Sequence, residues 1–355
     1  MDGVNGRYRA DELVIFATAL LERAGLARDR ARTVADVLVE ADLLGHDTHG
    51  LDQLAGYLQQ IEDGLLATSG DPEVISDFGA ALTWDGHRLP GQWLVKQAIA
   101  EARNRILSHP IVTIAIGRGQ HVGCLQAFLK PVTDAGLIIL LMSSDPSAGG
   151  VTPHGGVDPR LTPNPLAAGF PTAGDPILID ISSSTTTNAM NKRRAARGER
   201  LPGPWLVDAD GNATDDPRVL AGERPGAMLP LGGIELGHKG FALALIVEAL
   251  TSGLAGHGRS EKPKPWTAST FLQLIDPDCF GGRDAFAREM QHVADLCHST
   301  PVAPGNPPVR LPGEGALSRR RRQIQEGIDL TQTIVPALTF WAQKFGVAMP
   351  APLPS

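Results

Sequence analysis

The chain has 355 residues, 42% of them hydrophobic and 20% charged, the make-up of a soluble globular protein long enough for two domains. A net charge of −7 excludes a general nucleic-acid binder, which needs a basic face to displace counterions from phosphates. Cys124, Cys279 and Cys297 are its three cysteines; so far apart, they offer neither a zinc spacing nor a disulfide framework and point to a reducing compartment. The first five residues carry no leader pattern. The longest apolar run, 241–250, is broken by Glu248 and too short to span a bilayer. The expected setting is the cytoplasm, with no membrane partner.

In chain order, residues 11–24 predict a helix with Asp11 as its cap, an apolar stripe of Leu13, Phe16, Leu20 and Leu21, and Gly25 as its stop. A second helix starts at Asp29, buries Val34, Val37, Leu38, Ala41 and Leu44, and ends at Gly45. A third carries Leu51, Leu54, Leu58 and Ile61 on one face and stops at Gly64. The texture then changes. Strands are predicted at 81–86, 111–116, 137–142, 177–181 and 271–275. Helices are predicted at 93–105, from 123 to 135, at 188–197, at 240–254 behind Gly237-His238-Lys239, and at 285–297. A proline-rich crossing, 301–312, leads to closing helices at 318–325 and 330–345. No internal repeat is found. The expected architecture is α/β: a helical domain (1–75), a mixed α/β cofactor-binding domain (76–299), and a helical segment (300–355) packing back on the first.

The most concentrated chemistry lies in Gly45-His46-Asp47-Thr48-His49-Gly50, between the second and third helices. Imidazole gives or takes a proton near neutral pH, and a rigid helix junction holds such a group well. The same residues also read as a polar turn in which Asp47 or Thr48 caps a helix. A second pattern, Gly117-x-Gly119-x-x-x-Gly123, comes after a strand and precedes a helix, with Asp145 at the end of the next strand. It approaches a dinucleotide fingerprint. Its spacing is one residue off, and His121 stands where a small residue is usual.

Taken together, the motifs resemble the malate/L-lactate dehydrogenase family, whose fold is not the Rossmann fold. Thr48-His49-Gly50 is similar to the family's Ser-His-Gly, and His121-Val122-Gly123 to its His-x-Gly. Pro153-His154-Gly155-Gly156 and Pro163-Asn164-Pro165 come next, in the family's order. So do Asp180 with its hydroxyl run, Trp205 with the 208–211 turn, Asp216-Pro217, residues 229–233, His238-Lys239-Gly240 and Pro312-Gly313-Glu314. The set covers nearly the whole chain. The resemblance implies hydride transfer between NAD or NADP and a small 2-oxo acid, 2-hydroxy acid or cyclic imino acid. It implies a homodimer and a non-Rossmann mixed-sheet cofactor domain, and it moves the glycine turn to the substrate side. The alternatives are a Rossmann dehydrogenase and a cofactor-binding protein that has lost catalysis.

Within the resemblance, His49 and His121 are the candidate proton donors. His49 is favoured as acid/base, and His121 as a substrate-orienting partner or alternate acid. Thr48 orients His49 or contacts substrate. Asp180, Ser182, Ser183, Ser184 and Thr185 end a buried strand and offer hydroxyls and backbone N–H groups to ribose or phosphate. His238 and Lys239 open a helix whose positive end suits a pyrophosphate. Gly313 lets backbone approach a ligand while Glu314 accepts hydrogen bonds. Gln53 stands where the family usually has an arginine for a substrate carboxylate, a charged bidentate contact that an amide does not reproduce. Either another arginine such as Arg160 serves, or the substrate is not a simple 2-oxo acid. The basic run 319–322 reads as a solvated helix face. No metal is expected.

Overall fold

The computed structural model describes residues 4–331 and 334–354. The chain opens with β1 (Val4–Tyr8), α1 (Ala10–Arg23) and α2 (Arg28–Leu44). Two 3-10 turns, Asp47–His49 and Leu51–Gln53, lead into α3 (Leu54–Glu62). Then come β2 (Glu73–Asp77), β3 (Ala81–Asp85), α4 (Gly91–Arg105), β4 (Ile111–Gly119), α5 (Leu129–Thr133), β5 (Ile138–Ser144), β6 (Leu166–Phe170), β7 (Ile177–Ile181) and α6 (Asn188–Ala196). The remainder is β8 (Leu206–Val207), β9 (Ala213–Thr214), β10 (Ala227–Met228), α7 (Gly233–Glu248), β11 (Ala268–Ile275), α8 (Arg283–His298), α9 (Glu314–Glu326), β12 (Ile328–Thr331) and α10 (Ile334–Phe345). Among the described residues, no helix is long and apolar enough to cross a membrane.

Seven strands form one mixed sheet in the order β2–β3–β4–β11–β5–β6–β7. Only β3 and β4 run parallel; the other neighbours are antiparallel. β11 sits at the centre, with Leu272 opposite Ile114 on one side and Leu141 on the other. Side chains alternate across a strand. Leu272, Leu274, Ile139 and Leu141 accordingly face the core beneath α4, while Phe271, Leu140 and Met142 face the α7 side with Val247. A small sheet, β10–β8–β9, carries a separate apolar cluster around Leu206 and Met228.

A further core joins the two ends of the chain. Residues of α1, α2 and α3 pack with Ile328, Leu330, Ile334, Leu338 and Trp341, and β1 pairs with β12, Tyr8 opposite Ile328. α2 belongs to both large cores. Its Val34, Leu38 and Leu43 enter the terminal core, and its Val37, Ala41 and Leu44 enter the sheet core. Gly45 ends α2 at φ 89°, a left-handed stop that glycine adopts without cost. The histidine junction comes next, at the seam between the two cores.

Several local expectations are corrected. Asp11 is not a cap: Arg9 occupies the cap position of α1 without a side-chain bond to it, and Asp11 pairs with Arg9 at 3.0 Å. The third helix is delayed by the two 3-10 turns. The 117–119 glycines are the end of β4, not a turn, and the predicted helix beyond them is replaced by a 3-10 turn at Leu125–Phe128 and the five-residue α5. α7 starts at Gly233, so His238 and Lys239 lie inside the helix, away from its N-terminal N–H groups. Leu330 belongs to β12, and residues 332 and 333 of the predicted last helix lie outside the described residues.

The start of α4 is pressed against the loop that carries His121. A Cβ added at Gly91 would lie 2.2 Å from the Gln120 carbonyl oxygen and 2.6 Å from that of His121. Backbone cannot swing aside as a side chain can, so Gly91→Ala is expected to cost about 1–3 kcal/mol in urea unfolding and to disturb the His121 loop in the folded state.

Candidate active site

The site is built where α2 gives out. Asp42, three residues before Gly45, is buried, and its Oδ2 accepts the Leu51 N–H at 2.9 Å. That bond folds the chain back over the helix end. A Cβ on Gly50 would sit 2.0 Å from Asp42 Oδ1, so the glycine beside His49 is required by the turn. Gln53 Nε2 donates to the Thr48 carbonyl at 2.7 Å, and Arg193 of α6 holds Asp47 at 2.9 Å from outside. Neither Asp47 nor Thr48 caps a helix. The junction is fixed from three directions.

His49 and His121 lie side by side with ring centroids 5.8 Å apart and ring planes tilted by 31°. They are far apart in the chain, and the junction and the loop after β4 bring them together. Thr48 Oγ1 lies 2.9 Å from His49 Nδ1. Tyr57 Oη lies 2.7 Å from His121 Nδ1, and Gln92 Nε2 donates to that hydroxyl at 2.9 Å. Trp266 meets His121 in a T-shaped contact, ring centroids 6.2 Å apart, and its indole N–H is taken by Asp145. Burial lowers the pKa of both histidines. For His49 the nearby His46 adds to the effect; for His121 burial, then His49, brings it down to about 3. Desolvation disfavours the charged imidazole, so the pair rests neutral at pH 7 and can exchange one proton with a bound molecule.

The other predicted residues lie elsewhere. Asp180 faces inward, where burial raises its pKa against the opposing effect of His46; it accepts the Gln126 N–H at 2.9 Å and the Cys124 thiol at 3.8 Å. His46, Cys124 and Asp180 have ligand-type atoms within 4.8 Å of one another. His46 Nε2 bonds Gln126 Oε1 at 2.8 Å, so hydrogen bonds already knit the group together. The hydroxyl run is spent on backbone. Ser182 donates to Ser184, Ser183 to Pro163 at 2.8 Å, Ser184 to Thr186 at 2.7 Å, and Thr185 to Trp205 at 2.9 Å. A Cβ added at Gly313, which has φ 97°, would lie 2.9 Å from the Cβ of Leu178 in β7. Both Glu314 oxygens are engaged, one by His298 at 2.7 Å and one by the Leu311 N–H at 3.1 Å. That turn is a structural lock between β7 and α9. Arg160 is exposed and paired with Asp158. His238 and Lys239 are exposed on α7, and His238 meets His154 with ring centroids 5.7 Å apart. In the 319–322 run, Arg320 and Arg321 bind Glu40 and Asp175.

Tyr57, Gln92, Trp266 and Arg193 are site residues that sequence reasoning missed. Tyr57 carries the one readable signal, a hydroxyl in the otherwise apolar buried stripe of α3. The rest are defined by distant partners alone.

Comparison with known proteins places the chain in a family. The profile of the malate/L-lactate dehydrogenase family matches residues 8–339. An L-lactate dehydrogenase from Cupriavidus necator is 32% identical over 344 residues, covering 94% of this chain and 97% of that protein. A delta(1)-pyrroline-2-carboxylate/delta(1)-piperideine-2-carboxylate reductase from Pseudomonas syringae pv. tomato is 31% identical, covering 88% and 91%. Among solved structures, a putative malate/lactate dehydrogenase from Escherichia coli superposes with a TM-score of 0.87 at 27% identity, covering 96% of each chain. The paired histidines thus sit in a fold shared with hydroxy-acid dehydrogenases and imino-acid reductases, and the chain belongs to the malate/L-lactate dehydrogenase family of oxidoreductases.

Proposed function

We propose that the protein moves hydride between NAD or NADP and a small 2-oxo acid, 2-hydroxy acid or cyclic imino acid, with His49 as the acid/base. The single observation that carries this reading is the partly buried pair of His49 and His121, whose ring centroids are 5.8 Å apart. When bound, the nicotinamide supplies or accepts the hydride. The chain's own residues handle the proton. In reduction, His49 gives a proton to the substrate oxygen or nitrogen that gains electron density; in oxidation it takes that proton back. Thr48 orients the His49 ring, and His121 orients substrate. Position 53 holds glutamine instead of arginine, and its amide is folded onto the Thr48 carbonyl. This favours a substrate recognised by neutral donors or by a carboxylate contact from another segment.

Residues that would hold the cofactor fit on the α7 side. The Ser183 carbonyl accepts from Leu231 and the Thr185 N–H donates to Leu229, so the 182–185 loop lies against the segment leading into α7. His238 and Lys239 stand exposed on that helix; Lys239 offers a phosphate its charge and His238 a ring N–H. The mixed, mainly antiparallel sheet and the absence of a helix directly after Gly119 support a non-Rossmann cofactor domain. Ile234, Leu236, Leu245 and Ile246 of α7 are each about half exposed. A surface of that kind supports a homodimer closed over this helix.

Three outcomes are expected. Titration with NADH and separately with NADPH gives saturable fluorescence enhancement with at least one of them, and His49→Ala keeps that binding while kcat falls by about 10²–10⁴; binding of neither would sink the cofactor assignment. Because the His49 pKa lies below its ordinary value of 6.5, reduction, which needs the protonated ring, rises as pH falls below neutrality. Oxidation, which needs the neutral ring, falls over the same range, as initial rates in both directions will show. Ile246→Glu converts the dimer to monomer in sedimentation velocity; an unchanged species would place the subunit contact elsewhere.

A further inference from the structure

We infer that Tyr57, held by Gln92, is a positioning residue that fixes His121 as its Nε2–H tautomer and makes it a neutral hydrogen-bond donor to the substrate. This rests on the function proposed above. It adds a division of labour between the histidines: His49 moves the proton, and His121 stays uncharged and polarises the reacting oxygen or nitrogen.

The inference comes from a chain of three groups. Gln92 and Tyr57 are 1% and 3% exposed, so water does not stand in for either partner. Gln92 Nε2 donates to the Tyr57 hydroxyl at 2.9 Å. With its oxygen accepting there, the phenol's one proton goes to His121 Nδ1, 2.7 Å away. A neutral imidazole that accepts at Nδ1 carries its hydrogen on Nε2. Burial pushes the Tyr57 phenol up and the His121 imidazolium down, so both groups keep the proton count this arrangement needs. Among the described residues His121 Nε2 has no hydrogen-bond partner. Its ring neighbours besides Tyr57 are His49, at 5.8 Å, and Trp266, whose N–H is committed to Asp145. The Nε2–H is therefore left for a ligand. Three elements converge on the device: α3 brings Tyr57, the second residue of α4 is Gln92, and the loop behind β4 brings His121. The close fit of Gly91 against the Gln120 and His121 carbonyls holds the last two in register. A neutral donor suits a position beside a second, proton-cycling histidine, since two imidazolium charges in one buried site would repel.

The test uses the full-length protein labelled with ¹⁵N-histidine, His121→Asn serving to assign the ring signals. The wild-type spectrum between pH 6 and 8 is expected to show His121 as a single Nε2–H tautomer. Tyr57→Phe is expected to give a tautomer mixture and to lower kcat by about 10- to 100-fold with KM changed far less. His121→Gln, which can accept from Tyr57 and still donate, should keep more activity than His121→Ala. If Tyr57→Phe does not fold by circular dichroism, Gln92→Met interrupts the same chain one bond further back and is read the same way. A wild-type Nδ1–H tautomer would mean that the Gln92 amide is reversed and would overturn the inference. So would a Tyr57→Phe protein with unchanged tautomer and kcat. The tautomer is read without substrate, so a wild-type enzyme that turns over nothing would count against the proposed function and leave this result to be judged separately.

Discussion

The structure around the site depends on one buried carboxylate. Asp42 stands near the end of α2 with its side chain turned to the backbone of Leu51, and burial raises its pKa well above the ordinary range. A buried acceptor must be satisfied or it costs about 1–3 kcal/mol, and here the Leu51 N–H satisfies it. The consequence is geometric. The chain between the two groups has to close on itself, Gly50 has to be glycine, and His49 is held on a short, pinned loop. Gln53 and Arg193 add ties to the same loop from inside and outside. A proton-transferring group gains from such fixation, since reach and angle are set before substrate arrives.

Much of the fold was legible because its signals are local. The stripe of α2, the stop at Gly45 and the β-branched run of β4 are written in consecutive residues, and each forms where the pattern places it. β1 and β12 were not legible. Each is short and finds its partner at the opposite end of the chain, so neither has a pattern of its own. The start of α7 was misplaced for a related reason. Gly232 and Gly233, both at positive φ, look like a loop in sequence, yet the helix begins at Gly233 and its Gly240 lies close against the Leu231 backbone.

The site was legible in its histidines and illegible in its support. His49 and His121 announce themselves through their motifs. The hydroxyl run after Asp180 also looks like ligand chemistry, and the structure shows each hydroxyl donating to a nearby carbonyl. Composition cannot separate these uses, because a serine that closes a turn and a serine that meets a phosphate present the same atoms. Glu314 is similar: a carboxylate after Pro-Gly reads as a ligand contact, and its oxygens go to His298 and to its own turn. Tyr57 is the reverse case, a residue that reads as core and carries a hydroxyl aimed at the site.

The double membership of α2 has a thermodynamic consequence. One face of this helix is a wall of the terminal core and the other a wall of the sheet core. Loss of either core strips one side of α2 and leaves the remaining core without a wall. The two units therefore melt together, as a single cooperative block, and the amides of α2 are among the last to exchange with solvent. The histidine junction hangs from the end of that helix, so a slowly opening part of the molecule anchors the part to which the proposed chemistry is assigned.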